Sequence, residues 1–192
     1  MTRVKTFLAS AILALCAVPT FGQGFIVTPE GLRDSVDSTR GFVVIAVEGA
    51  TAKQLYDNAL KYIMKTYTNP DIVIKAKVDG DYIRLTTYSD NMAPIKNGWS
   101  TLIVKGDMTT ELTFKEGKVK YEVTALDMGI VSGPQNVIFQ GGLSMKNHII
   151  YNKAGKLQLP ETKKGLEEFF NSDIRNLSAV LKPTDKGKSD NW

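Results

Sequence analysis

Glu111 and Glu122 form a carboxylate pair with the potential for acid–base catalysis. Glu116-Gly117 predicts the turn of a β-hairpin, and pairing outward from it places Glu111 directly opposite Glu122 on the solvent face. Two carboxylates at that spacing can share a proton or flank a glycosidic bond, as in a small glycan hydrolase. Basic neighbours such as Lys120 favour a simpler interpretation, in which the pair is neutralised on an exposed sheet.

The same predicted sheet face carries an excess of positive charge, from Lys75, Lys77, Arg84, Lys115, Lys118 and Lys120. Such a face suits an anionic glycan, a lipid headgroup or another polyanion, although an ordinary solvated face is the simpler interpretation. Lys75, Arg84 and Lys120 are therefore candidate ligand-binding residues.

Two predicted loops supply the other candidates. Residues 89–99 form the first, and residues 128–148 form a glycine-rich segment that is long for a loop in a compact domain. Trp99, Phe139 and Met145 lie in these loops, where they either line the mouth of a small pocket or cover a sheet edge. These features favour a non-enzymatic binding or interaction module that uses the loops or the open sheet face.

The residue inventory argues against several catalytic classes. His148 is the only histidine and Cys16 the only cysteine, so a multi-histidine metal site has one candidate ligand at most. Residues 142–146 resemble a nucleophile elbow but lack its final glycine, and no phosphate-binding glycine loop is present. We therefore expect no enzyme activity, no metal and no cofactor.

The N-terminal segment has the pattern of an export signal. Arg3 and Lys5 precede an apolar run of about a dozen residues, which is shorter than the roughly 20 that a membrane span needs. Cleavage after Gly22 would release the signal peptide 1–22, and acylation at Cys16 is the minor alternative. A periplasmic or secreted protein follows, with an envelope protein, a glycan or an anionic lipid as the expected partner.

The mature chain has the length of one domain and a mild charge. Removing Arg3 and Lys5 from the 24 basic residues leaves 22 against 20 acidic ones, or a net charge of +2. We expect no nucleic-acid partner, because the charge is low, an exported protein meets little DNA, and the sheet face has few aromatic residues for stacking. No further segment is apolar enough to span a membrane.

Apolar periodicity and turn residues predict the elements. Residues 42–47 are apolar on both alternations, as in a strand buried on both faces or held at the centre of a sheet. Thr51 and Gln54 form a capping box that begins a helix, which Asn69-Pro70 ends. Its apolar stripe comprises Leu55, Tyr56, Ala59, Leu60, Ile63, Met64 and Tyr67.

Two hairpins and a closing helix follow. A two-residue Asp79-Gly80 turn would set Ala76 opposite Ile83 and Ile74 opposite Leu85. In the second hairpin the predicted pairs are Phe114 with Val119, Leu112 with Tyr121, Thr110 with Val123, Lys115 with Lys118, and Thr113 with Lys120. A short strand is expected at 149–151. Pro160 begins a helix whose stripe comprises Leu166, Phe169, Phe170, Ile174, Leu177 and Leu181.

These elements predict an α+β fold of order β-α-β-β-β-β-α, in which two helices cover one face of an antiparallel sheet. The predicted divisions are a polar leader at 23–40, the domain at 41–182 and a polar tail at 183–192. Within the leader, Ser35 and Ser38 are either solvated turn residues or O-glycan sites of a short exported-protein pattern.

Several segments of the chain resemble one family of exported bacterial proteins. They are residues 25–33, 43–49, 54–63 and 110–123, and they read FIVTPEGLR, VVIAVEG, QLYDNALKYI and TELTFKEGKVKYEV. The chain resembles domain-of-unknown-function family 4468, described as having a fold like that of the TATA-box-binding protein (TBP). This resemblance implies a TBP-like α+β fold and an envelope or secreted location. It implies no catalytic or ligand-binding residue.

Overall fold

The computed structural model describes residues 23–182, so the predicted signal peptide, Cys16 and the polar tail lie outside the described residues. Between 23 and 182 the chain forms nine strands and three helices. The strands are β1 (Phe25–Thr28), β2 (Gly31–Asp34), β3 (Phe42–Ala46), β4 (Ile74–Val78), β5 (Tyr82–Asn97), β6 (Ser100–Lys115), β7 (Lys118–Ile130), β8 (Asn136–Gly141) and β9 (Asn147–Asn152). The helices are α1 (Ala52–Thr66), α2 (Pro70–Val73) and α3 (Pro160–Leu181).

Seven strands form one sheet, in the order β4-β5-β6-β7-β8-β9, with β3 paired to the first part of β7. All neighbours are antiparallel except β8 and β9, which are parallel. The helices α1 and α3 contact each other and pack on the same face of this sheet, over β5 and β6. The α+β prediction with two long helices on one sheet face is therefore confirmed, while the strand count and order were incomplete.

The second hairpin has the predicted register. Phe114 lies opposite Val119, Leu112 opposite Tyr121, and Glu111 opposite Glu122. The same alternation places Leu112, Phe114, Val119 and Tyr121 in the core, so turn chemistry and apolar pattern agree here.

In the first hairpin the predicted register is wrong by one residue. The loop has three residues, because Val78 pairs with Tyr82, and Gly80 takes the positive φ of 74° that this turn needs. Ala76 therefore lies opposite Arg84. A bulge at Lys75 then restores the predicted pairing of Ile74 with Leu85.

Both long helices form as predicted. The α1 capping box is present, since Thr51 Oγ1 accepts from the Gln54 amide at 3.2 Å and Gln54 Oε1 accepts from the Thr51 amide at 2.9 Å. The buried residues of this helix are Leu55, Tyr56, Ala59 and Ile63. The α3 stripe is buried at Leu166, Phe170, Ile174, Leu177 and Leu181. Met64 is the exception, because it is largely exposed.

The segment predicted as a polar leader is folded. β1 and β2 form a two-stranded hairpin that packs beside α3, with Phe25 and Val27 buried in the core. The side-chain amide of Asn171 holds this hairpin, because it accepts from the Phe25 amide at 2.6 Å and donates to the Phe25 carbonyl at 3.0 Å. Ser35 and Ser38 are exposed in the connection that follows.

Strand β3 also differs from the prediction. Val43 and Ile45 are buried in the core, whereas Phe42 and Val44 are half-buried on the opposite face. The strand pairs with β7 and lies beside β2, so it alternates between an inner and an outer face.

Both predicted loops are strands. β5 runs through residues 89–97 with a bulge between Ser89 and Ala93, and Gly98 and Trp99 form a two-residue turn into β6. The chain accommodates Pro94 within β5 while its carbonyl accepts from Thr162 Oγ1 of α3 at 2.8 Å. Residues 128–148 contain the end of β7, all of β8 and the start of β9, so the long loop is replaced by two short connections.

None of the helices between residues 23 and 182 combines the length and the apolar character needed to cross a membrane.

Candidate functional site

A cleft of about 570 Å³ lies between α1, α3 and the inner face of β5, β6 and β7. A volume of this order suits a small organic molecule. Its lining residues belong to these five elements, apart from Tyr67, which is the C-cap of α1. They are Tyr62, Ile63, Tyr67, Leu85, Thr87, Tyr88, Ser89, Asn91, Met92, Met108, Thr110, Leu112, Tyr121, Gly165, Glu168, Phe169, Phe170, Ser172, Asp173, Asn176 and Leu177.

The position of α3 sets one wall of the cleft. At Gly165 the helix lies so close to β5 that an added Cβ would come within 2.8 Å of Ala93 and Pro94. From this contact the helix continues past the β5 bulge, where Asn91 and Met92 line the cleft. The bulge and the glycine together therefore bring the middle of α3 over the sheet.

The central polar contact of the cleft joins Asp173 of α3 to Tyr121 of β7. The Tyr121 hydroxyl donates to Asp173 Oδ2 at 2.6 Å. Tyr121 is fully buried, and burial together with the neighbouring carboxylate raises the pKa of its hydroxyl well above the ordinary value. Burial likewise raises the pKa of Asp173, although the hydrogen bond from Tyr121 opposes this shift.

Two further tyrosines, Tyr62 of α1 and Tyr67 at the C-cap of this helix, lie near this carboxylate. Burial, and then the charge of Asp173, raise the pKa of Tyr67 to about 12. The same two causes raise the pKa of Tyr62. All three tyrosine hydroxyls therefore stay protonated at neutral pH and act as neutral hydrogen-bonding groups beside the acid.

The charge of the cleft wall is negative. Among the described residues that line it, two are acidic, Asp173 and Glu168, and none is basic. The exposed Glu168 is neutralised by Arg175, with Oε1 and Nη2 2.5 Å apart. Within residues 23–182, Asp173 has no ion-pair partner and its close polar neighbour is Tyr121.

The predicted carboxylate pair is present, and each member has its own cation. Glu111 Oε1 lies 3.0 Å from Arg84 Nε, and Glu122 Oε2 lies 2.6 Å from Lys120 Nζ. The guanidinium group of Arg84 lies 5.8 Å from the ring centre of Tyr82, and the ammonium group of Lys120 lies 5.4 Å from the ring centre of Phe42. The pair is therefore part of a charge-balanced sheet face.

The structure separates the remaining predicted site residues. Lys75 is exposed at the bulge of the edge strand β4, and Trp99 is fully exposed at the tip of the β5–β6 turn. Phe139 of β8 is half-buried beside Gly31, and Met145 is exposed in the β8–β9 connection. None of these residues lines the cleft. His148 is half-buried within β9 and is likewise absent from the cleft wall.

Sequence reasoning missed the acid that defines the cleft. Asp173 directly precedes Ile174 on the apolar stripe of α3, so an acidic residue at the border of a buried stripe was the available signal. Tyr67 and Tyr121 were assigned to core positions, and nothing local indicated that their hydroxyls meet Asp173.

A solved structure of another protein is similar to this chain in fold. A crystal structure of a DUF4468 family protein from Bacteroides ovatus is similar, with a TM-score of 0.51, 15% sequence identity, and coverage of 77% of this chain and 91% of that chain. No family model and no curated protein matches the sequence. The predicted resemblance to family 4468 is confirmed by this likeness, which concerns the fold: the chain has the α+β fold of that DUF4468 family protein.

Proposed function

We propose that this protein is a non-enzymatic exported binding module that holds a small organic ligand in the cleft between α1, α3 and the sheet. One observation carries the proposal: a cavity of about 570 Å³ has a largely apolar and aromatic wall, in which Asp173 accepts from the Tyr121 hydroxyl and lies near Tyr62 and Tyr67. Cavities with apolar walls and a few converging polar groups are typical ligand sites.

The rival hydrolase finds less support at Glu111 and Glu122. Each of these carboxylates is engaged by a separate cation, and both lie on the open face of the sheet outside any enclosed site. Glycan cleavage needs two carboxylates that flank a bound glycosidic bond, whereas each of these two contacts its own cation. This arrangement supports a binding role for the chain over glycan cleavage.

The location of the proposed function is the bacterial envelope or its exterior. The basic and apolar segments at 1–22 support export, and the absence of a lipoprotein-type small residue before Cys16 favours simple cleavage. The TBP-like arrangement belongs to the same proposal, supported by two helices on one face of a mainly antiparallel sheet. It transfers no DNA-binding role, since fold does not determine function.

Polyanion binding at the outer sheet face is the second candidate, and one groove favours it. Phe42 and Val44 form an apolar floor beside Lys115, Lys118 and Lys120. Lys115 lies directly opposite Lys118, so two like charges adjoin at the end of the hairpin. On heparin, this candidate requires retention that falls steeply as salt rises, because counterion release drives such binding.

A thermal-shift screen of the expected mature chain, residues 23–192, tests the main proposal. Glycans, lipids, peptides, amines and polyanions are added one at a time, because a ligand of the native state raises the melting temperature. The decisive step compares Ser172→Phe, which fills the cleft, with Ala179→Phe on an exposed position of the same helix.

The proposal expects a ligand that shifts the wild type and Ala179→Phe and leaves Ser172→Phe unchanged. A ligand that shifts all three equally binds elsewhere and contradicts the cleft assignment. Silence across the whole panel contradicts a small-molecule role and leaves an envelope protein as the partner to seek by pull-down.

A further inference from the structure

The acid in the cleft lacks the positive charge that such a group needs. Asp173 is partly withdrawn from water, and a buried carboxylate is costly unless a cation or several hydrogen bonds compensate it. Tyr121 supplies one hydrogen bond at 2.6 Å. The other acid of the cleft wall, Glu168, already has Arg175, so Asp173 is the carboxylate left for a ligand.

Four aromatic side chains line the same cleft as this acid. Tyr62 belongs to α1 and Tyr67 is the C-cap of that helix, while Phe169 belongs to α3 and Tyr88 to β5. The face of an aromatic ring carries partial negative charge, so several rings around a cavity attract an organic cation. Rings and carboxylate therefore favour the same kind of ligand.

We propose that the ligand of the cleft is an organic ammonium cation, held by the carboxylate of Asp173 and by the rings of Tyr62, Tyr67 and Phe169. This inference rests on the proposed function, because it names the ligand class of the same cleft. The ammonium group lies against Asp173, and its organic substituents fill the apolar part formed by Leu85, Met92 and Met108.

The negative charge of the cleft wall disfavours anionic and uncharged ligands. An anionic ligand would meet Asp173 and Glu168 with no basic side chain of the described cleft wall to receive it. An uncharged ligand would fill the volume and leave the carboxylate uncompensated. The tyrosine hydroxyls carry no charge at neutral pH, because their pKa values are raised, so Asp173 supplies the negative charge near them.

Binding of paired probes tests the inference on the mature chain. Choline and benzyltrimethylammonium are titrated by calorimetry, each beside the uncharged analogue in which a tert-butyl group replaces trimethylammonium. The pairs have nearly the same shape, so their difference reports the charge alone. We expect each cation to bind at least about tenfold more tightly than its uncharged analogue.

Asp173→Asn keeps the shape of the side chain and its acceptor for Tyr121 while it removes the charge. We expect this variant to lose most of the preference for the cation and to keep its affinity for the uncharged analogue. An unchanged preference would overturn the role of Asp173, even if the cations bind.

Asn176→Lys supplies an ammonium group from the protein itself. Asn176 lines the cleft three residues after Asp173, so a lysine there lies on the same helix face as the acid. We expect Asn176→Lys to weaken choline binding at least about tenfold by occupying Asp173. Asn176→Met, which adds similar bulk without charge, is the matched control and keeps most of the affinity.

The outcomes separate this inference from the function on which it rests. Equal binding of cations and uncharged analogues, blocked by Ser172→Phe, overturns the ammonium assignment and keeps the cleft as a binding site. Cation binding that Ser172→Phe does not affect overturns both. Absence of binding for every ammonium probe overturns the ammonium assignment, and the wider thermal-shift screen then decides the function.

Discussion

The carboxylates on the two sides of the sheet have opposite surroundings. On the outer face, Glu111 and Glu122 lie opposite each other, and each is neutralised by a cation within 3.0 Å. On the inner face, Asp173 meets the buried Tyr121 hydroxyl and has no cation among the described residues. The sequence pattern favoured Glu111 and Glu122 as candidate catalytic residues. In the structure, Asp173 has the surroundings expected of a ligand-binding residue.

This contrast follows from the solvent around each face. Charges on an open sheet are screened by water, so nearby lysine and arginine side chains balance them at little energetic cost. A carboxylate between the helices and the sheet is partly shielded from water. Its pKa then depends on the groups packed against it. Substitutions on the inner face should accordingly have larger effects than matched substitutions on the outer face.

The largest difference is expected for aromatic truncation. Phe170 is a fully buried residue of α3, and its ring contacts those of Phe25 and Phe169 edge to face. Phe170→Ala should lower the free energy of unfolding by about 3–5 kcal/mol, because it removes core volume and leaves a cavity. Phe42→Ala on the outer face, where the ring is half-buried, should cost less than about 2 kcal/mol. Chemical denaturation of both variants measures this, and equal losses would contradict the contrast.

Removal of one tyrosine hydroxyl should have the next largest effect. Tyr121→Phe deletes the hydrogen bond to Asp173 and leaves the carboxylate without its donor, at a cost of about 1–3 kcal/mol. Tyr82→Phe deletes the contact with Arg84 on the outer face and should change stability by no more than about 0.5 kcal/mol. Urea unfolding at neutral pH compares them. A Tyr121→Phe protein as stable as Tyr82→Phe would show that Asp173 does not depend on this donor.

The charge of Asp173 should appear in the pH dependence of stability. Its pKa in the folded protein lies above the ordinary value of 3.8, so the folded state holds the proton more tightly than the unfolded state. The more tightly held proton of Asp173 therefore stabilises the folded state below pH 3.8. This stabilisation is lost as the pH rises through the pKa of Asp173 in the folded protein. Asp173→Asn does not titrate, so its stability relative to the wild type should increase as pH rises through this window and then level off.

Melting curves from acidic to neutral pH measure this difference between the two proteins. The ionisable groups near Asp173 are the hydroxyls of Tyr62 on α1, of Tyr67 at the end of α1, and of Tyr121 on β7. The tyrosines do not titrate in that range, because each of their pKa values is raised. A stability difference that stays constant with pH would contradict the burial of the carboxylate.

The smallest effect is expected for the outer carboxylates. Glu122→Gln removes one partner of Lys120 and should change the free energy of unfolding by no more than about 0.5 kcal/mol. The same variant, with Glu111→Gln, examines the hydrolase alternative, since glycan cleavage that disappears in either variant would restore it. Added salt should reduce the small stability difference further, because exposed pairs are screened.

Short-range patterns in the sequence correctly predicted several elements. The Glu116-Gly117 turn set every pair of the second hairpin, because apolar alternation on both strands agreed with the turn. The Thr51–Gln54 capping box and Pro160 placed the starts of α1 and α3. These features depend on residues a few positions apart, so neighbouring residues alone contain the information.

Predictions were wrong where a long-range contact overrides a local preference. Pro94 and Gly98 are typical of a loop, yet β5 continues through Pro94 because β6 pairs with it and α3 packs over it. The polar residues around Phe25 are typical of a leader, yet Asn171, far along the chain, fixes this segment as a hairpin. At Gly80, one extra turn residue shifted a register that a bulge at Lys75 later corrected.

The two long helices and the central hairpin follow from the sequence alone, because turns, caps and apolar periods act over a few residues. The export signal at 1–22 stays a prediction. The cleft, by contrast, is visible only in the tertiary structure. Tyr62, Tyr121 and Asp173 lie on three elements far apart in the chain, and each has an unremarkable local pattern. Their chemistry arises when the packing of α1 and α3 on the sheet removes water from the acid and the tyrosine hydroxyls.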